Sequence, residues 1–235
     1  MEKNNITKTL IFAILILVSI SLAHYFKVLL YFSDRYLWHV SLGQKYFEGI
    51  GDKDIALKHA NLAFGIDKER PDAHKLMAVI YSRKGLFDKA QDELGYLKRR
   101  GNYRDYYIGM GIISQEQEKF NESIKYHKKS VDICPSDALA HLLAGGSHTM
   151  LGDYTSALKY LNQSRTLIEK VPESQKDKKI KAAIHLGYWT IYEKQGKNRN
   201  AEKEFEIAKS YYHGRIPSQM LFLDDSSVKN CLEEE

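Results

Sequence analysis

Gly85-Leu86-Phe87-Asp88-Lys89-Ala90, Glu118-Lys119-Phe120-Asn121-Glu122-Ser123 and Gly152-Asp153-Tyr154-Thr155-Ser156-Ala157 are three versions of one turn. Each opens on a Gly or a charged residue, carries an aromatic in third place and ends on a small residue. Gly takes the positive φ that ends a helix, and the small residue lets a second helix lie close against the first. Downstream of the turn, Ala90, Leu94 and Leu97 put an apolar face on that second helix. Upstream, Met77, Ala78 and Tyr81, then Met110 and Gly111, then Ala144 and Gly145 place small or apolar residues on a first helix. The small residue recurs as Ala56, Ala90, Ser123 and Ala157, at spacings of 34, 33 and 34. A fixed period of this size marks a stack of repeated units.

The pattern resembles the tetratricopeptide repeat (TPR) family, whose first helix has Leu, Gly and Tyr where this chain has Leu42, Gly43 and Tyr46 before Gly51-Asp52. That first unit has one extra residue in its turn, and Ala56, Ala60 and Ala63 form its second helix. A fifth unit is marked by Ala201, Phe205 and Ala208, displaced to 44 residues after Ala157. Its displacement points to an insertion near 169–181, where Pro172 and a run of Lys read as a loop or as extended helix ends. The resemblance covers 37–211 and implies an all-α chain: a TPR α-solenoid, a right-handed superhelix of about five helix-turn-helix repeats. It also implies a protein-binding scaffold and no enzyme.

Composition agrees with one elongated helical domain: 235 residues, only 4 Pro, and no strand-like alternation of any length. The 16 Tyr and 9 Phe fall mostly on helix faces and are expected to pack. A net charge of +5, spread along the chain, falls short of a nucleic-acid footprint. Two cysteines, Cys134 and Cys231, supply neither a disulfide framework nor metal-ligand spacing.

The N-terminus is of another kind. After a short polar tail, 1–8, the run from Thr9 to Phe32 is interrupted only by His24 and Lys27. Its length suits a bilayer core, which takes about 20 residues, and Tyr25, Tyr31 and Trp38 suit an interface. Residues 9–32 are therefore read as an uncleaved transmembrane helix, and the chain as a single-pass membrane protein. A cleaved signal peptide, with Ser21 and Ala23 before the cut, is the alternative. The flanking charges nearly balance, so orientation rests on the short tail staying in the cytoplasm. That puts the repeats on the extracytoplasmic side, facing the periplasm in a Gram-negative source. At the other end, 212–235 departs from the repeat, and Met220-Leu221-Phe222-Leu223 reads as a segment capping the last unit.

The resemblance also implies a concave groove lined by the first helices. Carried onto this sequence, its inward positions are Leu76, Val79, Ile108, Ile112, Leu139, Leu142, Leu143, Met150 and Leu186. So apolar a stripe suits a helical or extended apolar segment of a partner protein; the competing reading makes part of it inter-repeat core. Lys75 stands where a carboxylate clamp wants a cation, but Val79 and Ile112 replace the asparagines, so a clamp is not expected. His74, His141 and His185 recur at the fourth position of their units, with His148 nearby. No acidic residue or cysteine completes a metal set at matching positions, so they are read as packing. Lys98-Arg99-Arg100 is read as offsetting a helix dipole. No nucleophile, phosphate-loop or dinucleotide motif occurs, and no cofactor is expected. The function that follows is a membrane-anchored scaffold or adaptor; a permanent structural subunit of a larger membrane complex is the alternative.

Overall fold

The computed structural model describes residues 18–19, 21–22, 34–171 and 178–211. From Arg35 onward the described residues form ten α-helices: α1 (Arg35–Lys45), α2 (Lys53–Ile66), α3 (Pro71–Arg83), α4 (Phe87–Arg99), α5 (Tyr103–Glu116), α6 (Phe120–Ile133), α7 (Ala138–Leu151), α8 (Tyr154–Lys170), α9 (Lys178–Lys194) and α10 (Asn198–Ser210). Consecutive helices pair, and each first helix packs also on both helices of the preceding pair. The result is a stack of five units.

The small residues of the sequence pattern sit at the closest approaches. Ala56, Ala90, Ser123 and Ala157 are wholly buried. A methyl group at Gly43 would lie 2.7 Å from Leu76 Cδ2 of the second unit and 3.2 Å from the Ala56 carbonyl oxygen, so an alanine there would have to displace the Leu76 side chain and crowd that carbonyl. In the third unit the Ser123 hydroxyl, replacing an alanine methyl, is satisfied by Ser147 Oγ at 2.8 Å, and Gln115 donates to Ser147 at 2.9 Å.

All five intra-unit turns use one left-handed residue: Gly51, Gly85, Glu118, Gly152 and Gly196, at φ +76°, +74°, +59°, +84° and +70°. Glu118 is the exception in chemistry, not in conformation. A side chain there costs about 1–2 kcal/mol, so Glu118→Gly is expected to raise the thermal midpoint, read by circular dichroism, with a gain of about 1 kcal/mol.

The extra residue of the first unit is not in the turn. It is absorbed in the helix end, where Tyr46–Ile50 widens to a π-helical turn and the Gly51 N–H reaches the Tyr46 carbonyl. One residue more per turn is what a π-bulge accommodates, and it leaves the Gly-Asp turn unchanged. At the other insertion, α8 and α9 are both 17 residues long where the remaining helices have 11 to 14.

The start of the stack is stapled. Asp34 caps α1, accepting from the Leu37 N–H at 3.1 Å, and pairs with Arg70 at 3.0 Å. Tyr36, 2% exposed, donates its hydroxyl to the Arg70 carbonyl and accepts from the Ala73 N–H at 2.8 Å, with the Arg70 guanidinium 4.0 Å above its ring. Burial pushes the Tyr36 hydroxyl up to about 12. Tyr36→Phe leaves the buried Ala73 N–H without an acceptor and is expected to cost about 1–2 kcal/mol in denaturant titration.

No helix among the described residues is long and apolar enough to cross a membrane. Of the run 9–32, only Val18, Ser19, Ser21 and Leu22 are described, and they are helical. The segment 212–235, with Met220 to Leu223, lies outside the described residues.

Candidate functional site

The first helices carry the residues expected to line a groove, and the structure separates these into two groups. Leu76, Val79, Ile108, Leu139, Leu142 and Leu143 are no more than 9% exposed. Leu76 and Val79 pack with Phe47, Ala56 and Ala60 between the first two units. Ile108, Leu139, Leu142 and Leu143 join Leu161, Ile184 and Ile191 in one cluster running through the last three units. Ile112 and Leu186 are half-buried, and Met150 is 60% exposed. Solvent therefore meets Ile112, Leu186 and Met150, with the six buried residues packed beneath.

One contact that sequence spacing does not show shapes this side. Lys179, in the first turn of α9, pairs with Glu48 at the end of the first unit's first helix, 3.0 Å apart across 131 residues. The first and fifth units thus meet at this ion pair.

A second set of charges is buried between the middle units. Lys75 Nζ stands 3.6 Å from Asp72 and 3.3 Å from Asp105, and Arg104 contacts Asp105 and donates through Nε to Asp137 Oδ2 at 2.8 Å. Arg104 Nη2 is 2.7 Å from the same oxygen, a close charge contact without hydrogen-bond alignment. Burial alone would push the Asp105 carboxyl up; Arg104 and Lys75 more than offset that and hold it below the usual carboxylate value. Asp137, 1% exposed, also caps α7 through the Leu139 N–H at 2.9 Å. Three units are joined here by one set of charges, and Lys75, the cation a carboxylate clamp would need, is engaged within it.

The recurrent histidines belong to a ladder. The residue at the fourth position of each unit meets the one three places after the small residue of the second helix: His39 with His59, His74 with Glu93, Tyr107 with Tyr126, His141 with Tyr160 and His185 with Glu204. His74 and His185 each bond their glutamate through Nδ1 at 2.6 Å, and His39 and His59 share a hydrogen between Nδ1 atoms 3.0 Å apart. Sequence reading placed no acidic residue opposite these histidines; Glu93 and Glu204 correct that. A constant spacing of 19 residues in both pairs was the available signal. His74 and His141 also bond the carbonyls of Lys68 and Pro135, each at 2.9 Å. Burial and the neighbouring ring lower the His39 pKa, and burial and Lys58 that of His59.

Two cations of the basic run 98–100 have structural partners. Arg100 pairs with Glu69 and lies over the Tyr96 ring, and Lys98 lies over Tyr106. Cys134, 2% exposed, follows the end of α6 with its sulfur 3.9 Å from the Ser136 hydroxyl; Cys231 lies outside the described residues.

Among solved structures, the chain superimposes on TTC0263, a thermophilic TPR protein in Thermus thermophilus, with a TM-score of 0.59 over 75% of this chain and 91% of that one, at 19% identity. It also superimposes on a tetratricopeptide repeat protein from Parabacteroides merdae, with a TM-score of 0.62 over 83% and 68% of the two chains, at 16% identity. The fold is that of a TPR protein. No protein-family model matches the sequence, and no curated relative does.

Proposed function

We propose that the chain is a membrane-anchored TPR scaffold, in which 9–32 crosses the bilayer once and the face of the first helices receives a segment of a partner protein. The observation that carries this is the five-unit stack itself, with Ile112, Met150 and Leu186 open to solvent along its first helices. Anchoring raises the effective concentration of the bound partner at the membrane, which is how such a protein would promote assembly of a membrane-associated complex.

The partner surface is tested by replacing Ile112, Met150 and Leu186 together with Glu, then extracting the tagged chain in mild detergent. Proteins that co-purify with the wild type should be lost from the variant while its helicity and membrane attachment stay unchanged. Retention of the same set at fixed stoichiometry would assign the contact to another surface and favour a permanent structural subunit.

A further inference from the structure

We propose that the outer face of the first unit lies flat on the lipid surface, with Trp38 at the headgroup boundary; this rests on the reading of 9–32 as a bilayer anchor. The first unit differs from the others on its outer side at the registers of Ile55 and Trp38. Ile55, His59, Leu62 and Ile66 fall at intervals of four, three and four, one stripe of α2. Ile55, Leu62 and Ile66 are 38%, 43% and 49% exposed. The Trp38 ring meets His59 edge-on at 6.1 Å, in the middle of that stripe, so the indole continues it across to α1. Trp38 is 37% and its neighbour Leu37 43% exposed.

The other units serve as an internal control. At the register of Ile55 they carry Lys89, Glu122, Ser156 and Asn200, all polar, whereas the registers of Leu62 and Ile66 are mixed in later units, with Lys129 and Gln163 at the first and Arg100 and exposed Ile133 at the second. At the register of Trp38 they carry Ala73, Tyr106, Ala140 and Ile184, and Ala73 packs against Tyr36, Val40 and Ala63 of the unit before it. The first unit has no described unit before it, and the end of a soluble solenoid needs a polar outer face. This end is apolar instead.

What covers it follows from where the chain enters. The apolar run ends at Phe32 and α1 begins at Arg35, so the three residue steps between them reach about 10 Å at most. The headgroup layer of one leaflet is about 5–8 Å deep. The first turn of α1, held rigidly through Asp34, Tyr36 and Arg70, must then lie in or against that layer. Trp favours this depth. Exposed Arg35 and Lys58 stand beside the stripe, where cations meet lipid phosphates.

The test uses the full chain in vesicles whose lipids carry bromine near the headgroup, with its two tryptophans separated. Trp189→Phe leaves Trp38 as the reporter; Trp38→Phe leaves Trp189, which packs on Phe205 in the fifth unit. Trp38 is expected to lose about half its emission or more to the brominated lipid, while Trp189 is unchanged. Adding Ile55→Lys and Leu62→Gln, the residues later units carry at these registers as Lys89 and Gln163, should weaken the quenching while the protein still floats with the vesicles. If the protein floats and Trp38 is not quenched, the face is covered by protein or by another part of this chain, and the proposal fails while the anchor stands. Equal quenching of both tryptophans also overturns it. If the protein does not float, anchor and proposal fall together.

Discussion

Arg104→Met is expected to lower the unfolding free energy by about 3–5 kcal/mol, because it leaves Asp105 and Asp137 charged, buried and without their principal cation. The two carboxylates are 9% and 1% exposed, so water cannot replace the guanidinium. Lys75 stays 3.3 Å from Asp105, and Asp137 keeps its cap on α7; neither compensates the charge left at Asp137. Arg104→Lys should fall between wild type and the methionine variant, since one ammonium cannot reach both carboxylates in the fork geometry of a guanidinium. Urea titration of the three proteins checks the order. A loss below about 1 kcal/mol for the methionine variant would show the site open to solvent and the charges screened. Acid weakens the same cluster. The lowered Asp105 pKa contributes stability above the ordinary carboxylate value of 3.8, and that contribution is lost as pH falls through the lower folded value.

His127→Leu is expected to stabilise the chain by about 1–3 kcal/mol at neutral pH. His127 stands in α6 where the neighbouring units have Leu94 and Leu161. It is wholly buried against Gly111, and neither ring nitrogen has a partner. Burial drives its pKa from 6.5 down to about 3. The folded state therefore refuses a proton that the unfolded chain accepts, and stability falls as pH drops from about 6.5 toward 3. At pH 5 this single group removes about 2 kcal/mol relative to pH 7. The leucine variant should lose that part of the acid sensitivity and keep the part due to His39 and His59, whose pKa values are lowered as well. Thermal midpoints at pH 7 and pH 5 for both proteins give the comparison, and parallel shifts in the two would refute the assignment.

Helix pairing was legible in the sequence because its causes are local. The turn residue at positive φ, the small residue that follows, and the apolar spacing of Ala90, Leu94 and Leu97 act within one unit, so each copy states the same geometry. Even the Ser123 departure from alanine was visible, though its partner Ser147 was not. The position-four ladder was half legible: the histidines stood out, while the glutamates that meet them needed the 19-residue offset between facing helices.

The tertiary structure alone decided which residues of the first helices face solvent. Val79 and Ile112 hold the same register in successive units, yet Val79 is 8% exposed and Ile112 is half-buried. The ion pair from Glu48 to Lys179 and the charge cluster from Asp72 to Asp137 have the same origin. Each repeat specifies its own fold and its contact with the next. The curvature that brings distant units together is the sum of small rotations at four interfaces, and no spacing within a unit encodes that sum.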